Sequence, residues 1–350
     1  MKKLLFLLSS FLLLFVALGQ IPAGYYTAAE GKKNTELKEA LFEIISDGYV
    51  QRTYNQLWTD FKITDKRPDN DKYVWDIYSN CDFIFGSHQD NGGNAPGECY
   101  YYNREHSVPN SWFGVQSQSP MYTDLFHMYP TDKYVNAQRA NLPYGETNGP
   151  TTYGNGSKQG NCTFPGYTST VYEPADEYKG DLARTYFYMA TRYLDINFSQ
   201  KDGGKIMFTY NTTCDLSEYA NELLLKWHRN DPVSEKETNR NNAIYGIQKN
   251  RNPFIDYPEL VEHIWGNLKD VAWNGLAISE EPAEPSIIIT RKDAGISIEG
   301  ATPDTEVEIY SITGQKVKES SKKHDYISLY NLQRGVYIVK VGDCVVKIVW

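Results

Sequence analysis

The pattern of apolar residues changes abruptly near Pro282, and this change constrains the fold more than any other feature. Before it, apolar residues recur at the helical period of 3.6, and after it they alternate with polar residues as in half-buried strands. We therefore predict an α+β chain: a mainly helical body over residues 20–276, a Glu/Pro-rich linker over 277–285, and a small all-β sandwich over 286–350.

Periodicity and end signals place the individual elements. The first predicted helix starts near Thr35 and stops at Gly48. The second starts at Thr131 or Asp132 and ends before Pro143. Three more cover residues 179–195, 216–229 and 235–249. The predicted strands of the sandwich are 287–290, 296–299, 307–310, 326–329, 336–341 and 345–349. Residues 73–78 look strand-like, and the Gly/Thr/Asn-rich segment 148–167 is predicted to be a surface loop.

The N-terminus has the pattern of a secretory signal peptide. Met1-Lys2-Lys3 precedes an apolar block over residues 4–16, and Ala17-Leu18-Gly19 follows as a small-residue cleavage site. We expect residues 1–19 to be removed after export to the periplasm; the alternative is an uncleaved membrane anchor. No other segment is long and apolar enough to predict a stable membrane span.

Export also changes the interpretation of the cysteines. Five remain, Cys81, Cys99, Cys162, Cys214 and Cys344, and their spacing resembles no zinc motif. An oxidising compartment permits disulfides, and Cys81 and Cys99 flank a Gly-rich loop. We predict that these two form a disulfide, which leaves an odd thiol, most simply Cys344.

The charge balance argues against a protein that binds nucleic acid through bulk electrostatics. The chain has 35 Lys and Arg against 44 Asp and Glu, and the deficit lies before Pro282. A local exception is 226–251, where six cations (Lys226, Arg229, Lys236, Arg240, Lys249, Arg251) outnumber three acids. Arg184 and Arg192 lie about 12 Å apart along one predicted helix, a reach suited to two phosphates. The alternative for each is a solvated face or an internal ion pair.

The densest polar segments are 103–109, 124–132 and 135–139. A carboxylate (Glu105), an imidazole (His106) and a helix-borne amide (Asn136) within them could form a site for a hard cation with a base beside it. Adjacent strand residues point to opposite faces, so Glu105 and His106 can serve one centre only at a strand end or a distortion, which Pro109 favours. Zinc is less suited, since no Cys or second His lies at ligand spacing from His106. The alternative is a structural Glu–His pair.

Several longer sequence segments resemble those of a known family. They include Leu57-Trp58-Thr59, residues 102–109, Trp112-Phe113-Gly114, 124–132, 141–145, 179–184, 188–193 and 250–256. In this order, over residues 22–270, the chain resembles the secreted bacterial endonuclease I family. Residues 307–317, 335–341 and 347–349 resemble the sorting domain of type IX secretion cargo, with a generic binding module as the alternative.

The resemblance implies a ββα-metal nuclease that cuts DNA, and RNA as well, leaving 5′ phosphates. His106 matches the family's general base, and Glu105 and Asn136 match the ligands of one divalent ion, Mg²⁺ first, with Ca²⁺ and Mn²⁺ as alternatives. Residues 107–130 contain no Arg or Lys, so the family's transition-state arginine is assigned by position to Arg139 first and Arg104 second.

The remaining assignments concern residues around this site. His127 and Asp124 are expected to support it rather than to bind the ion. The expected nucleic-acid contacts are Arg184, Arg192, Arg229, Arg240, Lys249 and Arg251. By resemblance, the C-terminal domain engages the secretion machinery, which gives a secreted or cell-surface protein. The rival functions are a catalytically silent nucleic-acid-binding or adhesion protein and a different metal phosphoesterase.

Overall fold

A computed structural model describes residues 21–114, 119–276, 288–292, 295–299, 305–321, 326–341 and 344–350. The chain divides into two compact units between Leu276 and Ala277. The expected signal peptide, the expected linker and the side chain of Cys344 lie outside the described part, so the predicted boundaries stay predictions. None of the described helices is both long and apolar enough to cross a membrane.

The first unit contains both helices and short strands. Its helices are α1 Asn34–Ser46, α2 Leu57–Thr64, α3 Lys133–Arg139, α4 Lys179–Arg192, α5 Asp202–Met207, α6 Glu218–Asn230, α7 Glu235–Gln248, α8 Pro253–Asp256 and α9 Leu260–Ile264. Its strands are β1 Tyr102–His106, β2 Met128–Asp132, β3 Thr151–Thr152, β4 Lys158–Asn161, β5 Thr170–Glu173, β6 Phe208–Tyr210 and β7 Cys214–Leu216. The α+β class and the helices predicted at α1, α3, α4, α6 and α7 are confirmed.

Helix ends follow local hydrogen bonding where the sequence offers it. The predicted capping box of α7 is present, because Ser234 accepts from the backbone of Glu237 and the Glu237 side chain accepts from the backbone of Ser234. Asp132 caps α3 by accepting from the backbone N–H groups of Tyr134 and Val135. Helix α1 starts at Asn34, next to the predicted start near Thr35, and its N-cap, Lys33, makes no side-chain cap bond.

Helix α4 forms the centre of the unit and packs against α1, α6 and α8. Every residue from Gly180 to Thr191 is buried, so α4 has no solvent-facing side. The single apolar stripe expected on this helix is therefore wrong. A helix buried on all sides accommodates polar side chains only when they are paired, as Arg184 is with Glu237.

Two segments differ from their predicted conformations. Residues 148–167, expected to be a loop, contain β3 and β4, which pair with β5 in an antiparallel sheet of order β3-β4-β5. Residues 73–78 form isolated bridges, Lys66 with Val74 and Tyr73 with Ile84, instead of a strand. Whether each segment forms a strand depends on hydrogen bonding to partners outside the segment, and these partners cannot be identified from the local sequence pattern.

An antiparallel hairpin followed by a helix presents the predicted polar residues. Strand β1 pairs with β2 in a register that joins Tyr102 to Asp132 and His106 to Met128. Helix α3 starts directly after β2, at Lys133. The predicted disulfide between Cys81 and Cys99 is confirmed, with 5.2 Å between their Cα atoms.

The second unit is all-β, as predicted. Its strands are β8 Ile288–Lys292, β9 Gly295–Glu299, β10 Glu306–Ser311, β11 Lys316–Ser321, β12 Tyr326–Ser328, β13 Val336–Val341 and β14 Cys344–Val349. They form two antiparallel sheets of order β11-β10-β13-β14 and β12-β9-β8. Side chains from both sheets share one core, including Ile296, Ile298, Val307, Ile309 and Val339. Strand β11, which is rich in Lys and Ser, was not predicted.

Candidate active site

Strand β1 distributes its polar side chains over two faces. Asn103 and Glu105 bond to side chains of α3, whereas Arg104 and His106 both contact Tyr54. This division follows from the two-residue period of a strand. His106 is the last residue of β1, so the strand end at which both groups could serve one centre is present.

The carboxylate of Glu105 is buried and held from one side. Its Oε1 accepts hydrogen bonds from the hydroxyl of Tyr78 and from Nη1 of Arg139, both at 2.9 Å. No side-chain donor among the described residues bonds to Oε2, and the backbone N–H of His106 lies beside the carboxylate. Burial raises the pKa of Glu105 to about 7, although the positive charge of Arg139 acts in the opposite direction.

The amide of Asn136 has a similar arrangement. Its Nδ2 donates to Oδ1 of Asn103 at 2.9 Å, which fixes the amide, and Oδ1 of Asn136 accepts nothing from the described part of the chain. Glu105 and Asn136 thus each offer one free oxygen. An all-oxygen donor set of this kind suits Mg²⁺, Ca²⁺ or Mn²⁺ and not zinc, so these residues fit the expected ion.

A second group of possible ligands does not fit a metal ion. Among the described residues, Cys81, Cys99 and Asp132 are the only cluster of three His, Cys, Asp or Glu side chains close enough to share an ion. Both sulfurs are in the disulfide, and Asp132 caps α3 while accepting from the backbone of Cys99. We therefore assign this cluster a structural role.

His106 is packed among aromatic rings and keeps one nitrogen free. Its Nε2 lies 2.9 Å from the carbonyl oxygen of Tyr122 and donates to it, which makes Nδ1 the unprotonated nitrogen. No described residue donates to Nδ1. Burial, and next the neighbouring His127, lower the pKa of His106 to about 3. The imidazole is therefore neutral at physiological pH, the form that a general base requires.

The structure reverses the expected order of the two arginines. Arg139 is fully buried and donates to Glu105, to the carbonyl of His106 at 3.1 Å and to that of Ser107 at 2.7 Å. Nη1 and Nη2 are committed to the protein, and Nε is buried without a described partner, so the role expected for Arg139 at the scissile phosphate is corrected to positioning of Glu105. Arg104 is half-buried, and Nη1, which donates to the carbonyl of Tyr54 at 2.7 Å, is its one hydrogen-bonded nitrogen among the described contacts.

His127 and Asp124 lie behind the site and touch neither free oxygen. The imidazole of His127 is fully buried with its ring centroid 5.5 Å from that of His106. Asp124 is also fully buried and accepts from the hydroxyls of Tyr188 and Tyr193, both at 2.8 Å.

Burial corrects three of the six expected nucleic-acid contacts. Arg184, Arg240 and Arg251 are buried and ion-paired with Glu237, Asp65 and Asp256 respectively. Their charges are neutralised inside the unit, so they cannot meet a phosphate at the surface.

The other expected contacts are more accessible. Arg192 is half-buried against the rings of Tyr49 and Tyr193. Arg229 lies at the surface and pairs with Glu262, while Lys249 is exposed at the end of α7.

Sequence reasoning did not single out the aromatic residues of the site. Tyr78 holds Glu105, Tyr122 accepts from His106, and Tyr54 and Trp58 enclose Arg104. The one available signal was Trp58, which lies in a word shared with the family, while the others do not stand out among 28 tyrosines.

The hairpin β1–β2, the helix α3 after it, and the polar residues that they present suit one class of protein, a nuclease. Residues 33–259 match the family model of Endonuclease I, and the chain belongs to that family. Residues 282–349 match the model of the secretion system C-terminal sorting domain. The protein is therefore a nuclease that is secreted or held at the cell surface. Members of this family are generally metal-dependent.

Named relatives are nucleases as well. An extracellular ribonuclease of Bacillus amyloliquefaciens is 37% identical over 250 residues, which are 69% of this chain and 78% of that protein. Endonuclease-1 of Buchnera aphidicola is 28% identical over 134 residues, 38% of this chain and 44% of the relative. A periplasmic deoxyribonuclease of Aeromonas hydrophila is 28% identical over 169 residues, 43% of this chain and 62% of the relative.

Proposed function

We propose that the protein is a metal-dependent, non-specific endonuclease that hydrolyses the phosphodiester bonds of DNA and RNA and leaves 5′ phosphates. The observation that carries this proposal is His106, a neutral imidazole with Nε2 fixed on the carbonyl of Tyr122 and Nδ1 free. It lies next in sequence to Glu105, whose Oε2 accepts from no side-chain donor among the described residues. The proposed base, His106, and the proposed metal ligand, Glu105, thus both lie at the end of β1.

In this mechanism His106 removes a proton from the attacking water. Nδ1 accepts that proton, while the proton on Nε2 stays on its hydrogen bond to Tyr122. The imidazole does not need to lose a proton first, because burial lowers its pKa and keeps it neutral near physiological pH.

Glu105 and Asn136 would hold the divalent ion through their free oxygens. When bound, the ion supplies positive charge that stabilises the scissile phosphate and the leaving 3′ oxygen. Tyr78 and Arg139 both bond to Oε1 of Glu105, so they orient the carboxylate with Oε2 available. Arg104, with its free guanidinium nitrogens, is the better candidate to contact the phosphate.

Activity on both nucleic acids is supported by the names of the relatives, which are ribonucleases and deoxyribonucleases. The sorting domain supports transport by a secretion machinery that carries the enzyme out of the cell. We infer that the physiological role is the breakdown of extracellular nucleic acid.

The test compares the native protein with His106→Ala on plasmid DNA and on RNA, in Mg²⁺ and in EDTA. We expect native cleavage of both substrates only with metal, and a loss of at least about 100-fold in His106→Ala, because general-base catalysis contributes that much. Thermal melting of both proteins checks the fold. A native protein that binds DNA without cutting it in any divalent ion would instead favour the catalytically silent binding protein.

A second test isolates the ligands without using activity. Calorimetric titration of Mg²⁺ or Mn²⁺ should show at least about tenfold weaker binding in Glu105→Gln and in Asn136→Ala than in the native protein. Glu39→Gln, which changes an exposed carboxylate on α1 outside the site, is the control and should bind like the native protein. Unchanged affinity in both site variants would contradict the ligand assignment.

A further inference from the structure

Four side chains beside His106 form a surface that the proposed mechanism leaves largely unused. We call them the stacking strip: Tyr54, Trp58, Lys62 and Arg104. The guanidinium carbon of Arg104 lies 3.5 Å from the ring centroid of Tyr54 and 4.2 Å from that of Trp58. Tyr54, Trp58 and Arg104 are half-buried, and Lys62 is exposed. The strip therefore combines aromatic surface with positive charge.

Arg104 has no carboxylate as a hydrogen-bonded partner among the described residues, although Asp90, which is bonded to Lys133, is near enough to interact with its charge. Its hydrogen bond among the described residues goes to a backbone carbonyl, that of Tyr54, and it makes no ion pair with a described carboxylate. In contrast, Arg52 pairs with Asp60 nearby. Two rings thus hold the guanidinium of Arg104 in place while its remaining N–H groups stay available, an arrangement suited to a phosphate.

Helix α2 extends the strip by one turn. Lys62 follows Trp58 by four residues, so both lie on the same helical face. Lys62 is exposed and makes no described hydrogen bond or ion pair. The neighbouring face of α2 is anchored by the buried Leu57 and Phe61, and the ring of Phe61 lies 6.4 Å from that of Trp58, so the strip has a rigid support.

The strip begins at the catalytic base. The ring of Tyr54 is nearly parallel to the imidazole of His106, with 19° between the planes and 6.1 Å between the centroids. Tyr122, whose carbonyl accepts from His106, has its ring 5.1 Å from that of Tyr54. A chain of nucleotides whose phosphate is at His106 would therefore pass next to the strip.

We propose that the stacking strip binds the nucleotide adjoining the scissile phosphate and that it makes the enzyme prefer single-stranded nucleic acid. This inference rests on the proposed function. An unpaired base can stack on Tyr54 or Trp58 while Arg104 and Lys62 contact its phosphates. A duplex keeps its bases paired and stacked, so the two rings gain nothing from it.

The charge of the unit supports the same preference. A duplex presents a higher density of phosphates and is bound mainly through many cations. Residues 20–281 contain 24 basic against 35 acidic residues, and Arg184, Arg240 and Arg251 are buried in ion pairs. The surface therefore offers little general attraction to a duplex, and the local strip contributes relatively more to a single strand.

The experiment measures kcat and KM of the full-length secreted protein in Mg²⁺ on a labelled single-stranded DNA oligonucleotide and on the same sequence in a duplex. Trp58→Leu removes the aromatic face and keeps an apolar side chain, while Trp58→Phe keeps a ring. For Trp58→Leu we expect a rise of about tenfold in KM for the single strand, with a much smaller rise for the duplex. Trp58→Phe should recover most of the single-strand affinity.

Binding in EDTA, followed by fluorescence anisotropy of the same oligonucleotides, separates affinity from cleavage. Trp58→Leu should weaken single-strand binding about tenfold and duplex binding far less. Lys62→Ala should weaken binding of the single strand, whereas Lys269→Ala, another exposed lysine without a described partner, should bind as the native protein does. Thermal melting confirms that each variant is folded.

Two different failures can be told apart. If the native protein cuts nothing, the proposed function fails. If the native protein cuts, but Trp58→Leu loses the same factor on single strand and duplex, or loses kcat with KM unchanged, the stacking strip does not select single strands. Equal binding of Lys62→Ala and the native protein would remove Lys62 from the strip.

Discussion

Asp124 shows how single buried groups organise the unit. Its carboxylate accepts from the hydroxyls of Tyr188 and Tyr193, from the side chain of Gln248 and from the backbone of Phe126. Asp124 lies three residues before His127, whose ring packs near that of His106. The carboxylate therefore links α4 and α7 to the segment that packs against His106, the proposed base.

Removing this carboxylate should cost stability. In Asp124→Ala the two tyrosine hydroxyls and the Gln248 amide lose their acceptor inside the protein, and each unsatisfied buried donor costs about 1–3 kcal/mol. We expect the free energy of unfolding to fall by at least about 3 kcal/mol in urea titration. Asp47→Ala, outside this network, is a suitable control. A loss below about 1 kcal/mol would contradict this role of Asp124.

His228 should make the fold sensitive to acid. Burial, and next the charge of Arg184, lower the pKa of His228 to about 4, although Glu262 acts in the opposite direction. The unfolded chain protonates this imidazole near pH 6.5, so the stability it contributes is complete above that pH and is lost as the pH falls toward 4.

Replacing His228 should change how steeply the free energy of unfolding falls with decreasing pH. Between pH 6.5 and 4, His228→Gln should lose less unfolding free energy than the native protein, by on the order of 2 kcal/mol. Urea titrations at several pH values measure this difference. Parallel curves for the two proteins would show that His228 titrates alike in both states.

Which charges are buried could not be read from the sequence. Arg184 pairs with Glu237, 53 residues away, and Arg240 pairs with Asp65, 175 residues away. A local run of cations looks the same whether its partners are water or distant carboxylates. The roles assigned to Glu105 and Asn136 as metal ligands and to His106 as the base rest on sequence segments shared with the family, and they stay predictions.

At the scale of elements, the predictable helices carry their own signals. Helix α7 has a capping box in Ser234 and Glu237, and these residues suffice to place its start. Helix α2 has no side-chain cap and carries the aromatic residues Trp58 and Phe61 and β-branched residues such as Ile63, so its short sequence does not favour a helix. It is held by packing against α7, which only the tertiary structure reveals.

The disulfide closes a loop before β1, and hydrogen bonds connect this loop to the start of α3. Cys81 and Cys99 close a loop with a sequence separation of 18, and the backbone N–H of Cys99 donates to Asp132, the N-cap of α3. Lys133, the first residue of α3, bonds to Asp90 within that loop. The loop thus supports the helix that carries Asn136.

Reducing this bond should destabilise the unit. A loop of this length is worth about 3 kcal/mol in the unfolded-state model. We expect a lower melting temperature in dithiothreitol than without it, by calorimetry. The double variant Cys81→Ser, Cys99→Ser should melt at the lower temperature and not respond to the reductant. An unchanged melting temperature of the native protein after verified reduction would contradict the prediction.

At the scale of the whole molecule, each unit has a hydrophobic core of its own. The core of the first unit includes Leu41, Phe187 and Leu223, and that of the second includes Ile298 and Val339. The change of periodicity near Pro282 was enough to predict this division into a mixed unit and an all-β unit. The strand pairings were not predictable, since they join residues far apart in the chain.

Separate cores predict that the first unit works alone. A protein covering residues 20–276 should keep nuclease activity within about twofold of the full-length chain, because most of the stabilising apolar burial occurs within the unit. Plasmid cleavage and thermal melting of both proteins are the measurements. Loss of activity with an unfolded circular dichroism spectrum would show that the second unit is needed for folding.

The buried arginines also affect how strongly the binding of nucleic acid should depend on ionic strength. Binding to a polyanion weakens with ionic strength in proportion to the number of condensed counterions that the protein displaces. Arg184, Arg240 and Arg251 displace none, because their partners are Glu237, Asp65 and Asp256. Because these three charges are neutralised internally, we expect the protein to contact few phosphates and its affinity for nucleic acid to fall only moderately as the salt concentration rises.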